Sequence, residues 1–344
     1  MRNLLKRNEF YVFLAIVVLC VIISAVSPAF FTLENLFDML KTYSFMGIFS
    51  VGILFVLVSG GIDISFTAIA QVCEYAMVAF VVRFGGNIVT AFLFAAMCGI
   101  LLGAINGLII YFVKIPPIIT TIATFNIMFG MLFVVTKGQL VITFPSFFNE
   151  FAKINLFTAT TADGSPYGLS IVVVIWMIAL LLAFGVLRYT NLGRNVYCIG
   201  GNPVAARRVG INVFRTQLFV YSFMGLLSGI AAVVHFTLVL TVVPNSIVGK
   251  ELEVIAAVIL GGASIVGGAG SLLGTTLGIG LFAIVSNGVT LMRISSYWYK
   301  VFTGLVIITS VSVSAYRFKM SKKREVKIKM EEAEGTRLAA SRER

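Results

Sequence analysis

The sequence predicts an all-α polytopic membrane helix bundle of about ten transmembrane helices, with both termini on the cytoplasmic side. Three observations lead there. Hydrophobic residues make up 59% of the 344-residue chain and charged residues only 12%, against about 45–50% and about 25% in a soluble domain. Nearly uncharged apolar runs recur from end to end, presenting more apolar surface than one soluble core can hide. Lys and Arg divide unequally between the two sets of loops, and that division sets an orientation.

A helix needs about 20 apolar residues to cross the hydrocarbon core. Residues 1–10 carry Arg2, Lys6 and Arg7 and read as a short cytoplasmic segment. The first span, 11–31, follows them as the core of a signal peptide would. No small-residue cleavage site accompanies it, so it is expected to stay as an anchor. Further spans are expected near 44–62, 66–84, 88–113, 117–136, 169–188, 217–240, 251–266, 271–291 and 298–316, making 11–316 one transmembrane domain. Only Gly60–Ser65 interrupts the stretch 44–84, which is either two crossings or one crossing plus a broken helix. Residues 137–168 form the longest outer loop, with a turn expected at Asp163-Gly164-Ser165-Pro166. Residues 189–216 form a basic cytoplasmic loop and 317–344 a basic cytoplasmic tail. This arrangement puts nineteen of the 26 Lys and Arg residues on the cytoplasmic side, ten of them in the tail. Tyr297, Trp298 and Tyr299 sit as interface anchors at the outer end of the last span.

The net charge of +12 does not point to nucleic acid. The tail also holds Glu325, Glu331, Glu332, Glu334 and Glu343, and reads as a solvated end lying near anionic lipid headgroups. Cys20, Cys73, Cys98 and Cys198 have neither metal-site spacing nor the pattern of a disulfide framework. No metal, cofactor or catalytic constellation is expected. The chain has no Gly-x-x-x-x-Gly-Lys-[Ser/Thr] phosphate loop, so ATP hydrolysis, if transport uses it, belongs to another chain.

Small residues recur at four-residue spacing. Gly99, Gly103 and Gly107 share a helix face, as do Gly270, Gly274 and Gly278, and Gly225 with Gly229. Such faces let backbones approach closely and are read as packing seams.

Polar residues in apolar surroundings are the candidates for a translocation pathway, because burying them is costly without partners. Asp63 follows Ser59-Gly60-Gly61-Ile62. It either fixes the geometry of a broken helix beside a pathway or caps a helix end at the interface. Glu74 pairs with a neighbouring helix, lines a cavity, or marks a misplaced boundary. Asn106, Asn126 and Asn287 are further candidates, with interhelical hydrogen bonding the first reading for Asn106 and Asn126. His235 is read as a satisfied interior residue. Glu251 and Glu253 open the eighth span and are placed to cap it.

The loop from Leu192 to Ile211 contains a second candidate. Asn202 is a good N-cap and Pro203 a good first helical residue. A short helix over Val204–Arg208, stopped by Gly210, would be apolar on one side and basic on the other. Gly200, Gly201, Asn202, Pro203, Ala205, Ala206, Arg207, Arg208 and Gly210 are therefore expected to form a docking element for a cytoplasmic partner.

With these residues in place, the chain resembles the permease subunits of ATP-binding-cassette importers for monosaccharides, the ribose-type branched family. The resemblance runs over nearly the whole chain between the termini. It rests on Ser59-Gly60-Gly61-Ile62-Asp63-Ile64-Ser65, on Ala104-Ile105-Asn106-Gly107-Leu108 with Lys114-Ile115-Pro116-Pro117, and on Gly193–Ile211. It rests also on Glu253–Ser264 with Gly267-Gly268-Ala269-Gly270, and on Ser286-Asn287-Gly288. The resemblance implies a sugar permease in a bacterial inner membrane that pairs with a second copy or a close relative. It implies ATPase subunits inside, docked on the Gly200–Gly210 loop, and a periplasmic or lipoprotein sugar-binding protein outside. The chain departs from the family pattern after Asp63, where Phe66-Thr67-Ala68-Ile69-Ala70-Gln71 and then Glu74 replace a run of small residues. Members of the family handle pentoses, hexoses, a furanone-type signal sugar, nucleosides and flavins. The alternatives are a nucleoside or flavin importer of the same family, and a proton-coupled secondary transporter using Glu74 or Asp63.

Overall fold

The computed structural model describes residues 8–160, 164 and 166–312. The basic tail, Arg2, Lys6, Arg7 and two residues of the turn expected at 163–166 lie outside the described residues. In chain order the helices are α1 (Asn8–Val26), α2 (Leu33–Val58), α3 (Phe66–Phe84), α4 (Ile88–Val113), α5 (Pro117–Thr136) and α6 (Phe147–Ala152). A β-hairpin, β1 (Asn155–Thr160) and β2 (Pro166–Ser170), precedes α7 (Ile171–Tyr189), α8 (Asn191–Gly201), α9 (Pro203–Arg208) and α10 (Val213–Val239). Then come α11 (Glu251–Leu260), α12 (Leu272–Leu291) and α13, described over 297–312. Among the described residues, eight helices are long and apolar enough to cross a membrane.

Local chemistry sets many of the boundaries. Asn87 and Thr90 form a capping box at the start of α4, which satisfies two backbone N–H groups that helix geometry leaves free. Pro117 opens α5, where its missing N–H costs nothing. Lys114 and Lys137 end α4 and α5 in left-handed backbone.

Two expectations need correction. The outer loop, whose folding the sequence leaves open, carries α6 and a hairpin in which β1 pairs antiparallel with β2. The second span begins at Leu33 rather than near 44. Its first turns carry Glu34, Asp38 and Lys41, which lower the apolar signal without breaking the helix. The expected span 251–266 is only the ten-residue α11. Ten residues rise about 15 Å, half of the roughly 30 Å hydrocarbon core. Gly262 and Gly267, both at positive φ, turn the chain where an ordinary residue would resist.

The other half of this crossing is non-helical, a run of turns and bends. Tyr75, Gln71 and Thr67 stand at four-residue steps on one face of α3, and the chain from 242 to 251 is tied down that face. Val242 pairs with Val141, two residues beyond Gln139, whose carbonyl accepts from Tyr75. Ile247 then meets Gln71, and Glu251 meets Thr67. Backbone without its own helix is tolerated at membrane depth only when protein surrounds it or it lines a cavity; Val242 and Ile247 are fully buried.

α2 lies at the centre, buried without interruption from Met46 to Val58. α4 and α10 meet along glycine. Gly99, Gly103 and Gly107 face Gly225, Tyr221 and Leu218, with backbone against backbone. A Cβ at Gly225 would stand 2.0 Å from the Gly99 carbonyl oxygen, inside any real contact. Gly225→Val is therefore expected to separate the two helices, at a cost of a few kcal/mol. The check is a lowered apparent melting temperature of the purified protein in detergent. The outward faces of α4 and α5 expose Leu93, Met97, Leu101, Ile127, Met131 and Val134, the surface that a bilayer covers.

Candidate functional site

The site begins where α2 stops. Gly60 takes φ +85, and residues 61–65 run without helix to the start of α3. A break inside a bundle frees backbone groups that need partners, and neighbouring helices supply them. Thr121 on α5 accepts from the Ile64 N–H at 3.2 Å and donates to the Ile62 carbonyl at 3.3 Å. Asp63 Oδ1 accepts from Ser65 twice, from the N–H at 2.7 Å and from Oγ at 2.6 Å. Asn106 on α4 donates to Ser65 Oγ at 2.7 Å. Asp63 is 1% exposed, so it closes the broken turn from inside and does not cap an exposed helix end.

The second part is the non-helical half of the crossing. Gln71 Oε1 accepts from the Ile247 N–H at 3.1 Å and from Ser246 Oγ at 3.2 Å. Thr67 Oγ1 donates to Glu251, whose carboxyl also accepts from the Gly249 N–H. Glu251 thus ties the non-helical segment down; with Glu253 it occupies the first turn of α11, where the helix dipole favours acid, while the N-cap position is Lys250 with no side-chain bond. Glu253 accepts from Tyr299 on α13 and lies 3.4 Å from Lys250 Nζ. Tyr299 in turn meets Tyr43 on α2 at 3.1 Å.

The third part is a buried pair. Glu74 Oε2 lies 3.1 Å from His235 Nδ1, joining α3 to α10. Phe45 stands edge-on to the imidazole with centroids 5.1 Å apart. Five buried polar atoms around α3 and the break have no hydrogen-bond partner among the described residues: Gln71 Nε2, Glu74 Oε1, Asn106 Oδ1, Thr120 Oγ1 and Tyr221 Oη.

The pathway candidates therefore separate. Asp63 and Asn106 come together, and Glu74 lies further along α3. Asn126 does not join them; it is exposed on α5 and bonds its own helix at the Ile122 carbonyl. Asn287 does not either. It exchanges hydrogen bonds with Asn35, at 2.7 and 3.1 Å, and fastens α12 to α2. Sequence reasoning gave no role to Gln71, Thr121 or Tyr221. Gln71 had a signal, an amide inside an apolar span; the other two had none that set them apart from packing residues.

The basic loop folds as two helices. Thr190 caps α8 by accepting from the Gly193 N–H at 3.1 Å. Asn202 caps α9, its Oδ1 accepting from Val204 and Ala205, each at 3.0 Å. Ala206 is buried with Ile199 and Val213. Ala205, Arg207 and Arg208 face outward, and Gly210 ends the element at φ +86. Val204 and Val209 are 62% and 77% exposed. Gly200 and Gly201 belong to the end of α8 rather than to the outward-facing helix. Gly200 is wedged inside the fold: a Cβ there would stand 1.8 Å from the Val58 carbonyl oxygen and 2.6 Å from the Gly268 nitrogen. Gly267 and Gly60 close the same junction. Gly270 lies ahead of α12 and so does not share the expected helix face with Gly274 and Gly278, which pack against Gly261 and Ala257 of the half-helix crossing.

Residues 35–311 match the family described as "Branched-chain amino acid transport system / permease component". The ribose import permease protein of Escherichia coli is 35% identical over 300 residues, covering 87% of this chain and 91% of that protein. Its counterpart in Bacillus subtilis is 32% identical over 301 residues, covering 87% and 90%. The autoinducer 2 import system permease protein of Klebsiella pneumoniae is 32% identical over 311 residues, covering 90% and 86%. No solved structure matches the chain. A broken α2–α3 turn, a half-helical crossing and a capped outward helix joined to both thus sit in a match that takes in most of the chain. It belongs to this family of transport-system permease components, as a multi-pass membrane subunit that forms the passage.

Proposed function

We propose that this subunit passes a sugar or sugar-like solute inward through an importer powered by separate ATP-binding-cassette subunits. Those ATPases dock on α9 and its exposed Arg207, Arg208, Val204 and Val209. A sugar-binding protein delivers the solute at the opposite end, and a second permease, identical or related, completes the passage. The observation that carries this reading is Gly200. At the end of α8, beside the docking element, its backbone lies against Val58 at the end of α2 and against the Gly267–Gly268 turn, which would carry movement of α9 to the broken turn. Of the solutes open to the family, a sugar is favoured by relatives named for ribose, autoinducer 2 and galactose import.

Two experiments test it. Vesicles holding the complete importer are expected to accumulate D-ribose or D-galactose only with ATP inside. Uptake driven by a proton gradient without ATP would overturn the reading in favour of a secondary transporter. Charge reversal at the docking helix, Arg207→Glu with Arg208→Glu, is expected to weaken retention of the ATPase about tenfold, or about 1.4 kcal/mol. Quantitative pull-down reads this, and unchanged retention counts against docking at α9.

A further inference from the structure

Gln71 and Glu74 stand three residues apart on α3, so their side chains lie on one helix face about 5–6 Å apart at Cβ. Both are fully buried. Each is held by one atom and left free at the other. Gln71 is fixed through Oε1 by Ile247 and Ser246, while Nε2 has no partner among the described residues. Glu74 is fixed through Oε2 by His235, while Oε1 has none among them. Leaving a buried donor and a buried acceptor unmade is expensive, and here each is oriented by a second group instead of being removed. The same face abuts segment 242–251, non-helical backbone of the kind tolerated at membrane depth where protein surrounds it or it lines a cavity.

We propose that Gln71 Nε2 and Glu74 Oε1 are the solute-recognising pair of the passage, reading neighbouring hydroxyl groups of a neutral sugar. A hydroxyl both donates and accepts. One hydroxyl accepts from the Gln71 amide, and the next donates to the Glu74 carboxyl. His235 is a positioning residue that holds the carboxyl in register from α10. The proposal rests on the sugar reading above. It assigns selectivity to the departure from the family pattern that begins at Phe66, whereas the turn around Asp63 supports the backbone.

The test uses the complete importer in vesicles, with the binding protein saturated by each sugar in turn so that its own preference drops out. The probes are D-ribose and its 2-, 3- and 5-deoxy derivatives, and D-galactose with its monodeoxy derivatives. The wild type is expected to carry at least one parent sugar about tenfold or more faster than one of its deoxy derivatives. Glu74→Gln keeps a hydrogen bond to His235, and Gln71→Leu keeps the volume. Each is expected to lower the parent rate while bringing the ratio to within about twofold of one. ATPase activity stimulated by the loaded binding protein reports assembly. Where Gln71→Leu fails to assemble, Gln71→Glu, which keeps the acceptor but removes the free donor, takes its place. An unchanged ratio in the assembled variants, or a wild type that carries parent and deoxy sugars equally, overturns this inference alone. A wild type that carries none of the sugars overturns the sugar reading and this inference with it.

Discussion

Gly200→Val should abolish uptake while leaving the ATPase bound. The glycine lies at the end of α8, where a Cβ would fall 1.8 Å from the Val58 carbonyl oxygen. That oxygen already accepts the Gly268 N–H at 2.8 Å. A side chain there must break this bond or push α8 off the end of α2. Breaking it leaves a carbonyl short of a partner, and pushing opens a packed junction; either costs a few kcal/mol. The outward face of α9 is untouched, so pull-down of the ATPase should stay near the wild-type level. Uptake should fall at least a hundredfold. The neighbouring residue is the control: nothing lies within 4 Å of a Cβ at Gly201, and Gly201→Ala should transport normally. Equal effects at the two glycines would show that the junction does not carry the coupling.

The second large effect is expected at His235. In His235→Ala the Glu74 carboxyl, 0% exposed, loses the one hydrogen bond it makes among the described residues, where Oε1 has no partner. Leaving a buried polar group without its partner costs about 1–3 kcal/mol, and more if it is charged. The purified subunit should melt well below the wild type in detergent. Replacing both members by apolar residues, His235→Leu with Glu74→Leu, should recover much of the loss. The double-mutant cycle measures the coupling, and a double variant no more stable than His235→Ala would argue that the pair is not linked.

Much of the fold could be read from apolar runs because most crossings here are simple. The expected spans 66–84, 88–113 and 117–136 coincide with α3, α4 and α5 to within a residue. The reading faltered where composition and geometry part. Residues 251–266 are as apolar as a span, yet turn after Leu260. The other half of that crossing holds Pro244, Asn245, Ser246, Gly249 and Lys250 and looks like a loop. In the site, Asp63 and Glu74 were visible because an isolated charge in an apolar run stands out. Their surroundings were not. The partner of Glu74 is 161 residues away and those of Gln71 are 175 and 176. Asn106, Asn126 and Asn287 look alike in sequence, and only helix rotation separates the buried one from the exposed one and the paired one. The cap at Asn202 was legible because all its partners lie within three residues.

The glycine seam between α4 and α10 ties the subunit to the thickness of its membrane. The two helices have 26 and 27 residues, about 39–40 Å at 1.5 Å per residue. The apolar slab is about 30 Å deep. Helices of that length lean or protrude, and two helices packed backbone to backbone cannot lean independently. They must tilt as a single plank. A thicker or thinner bilayer then turns the pair together, and with it the polar face of α3 that lies alongside. Lipid chain length would then set the tilt of the pair, and of α3 with it.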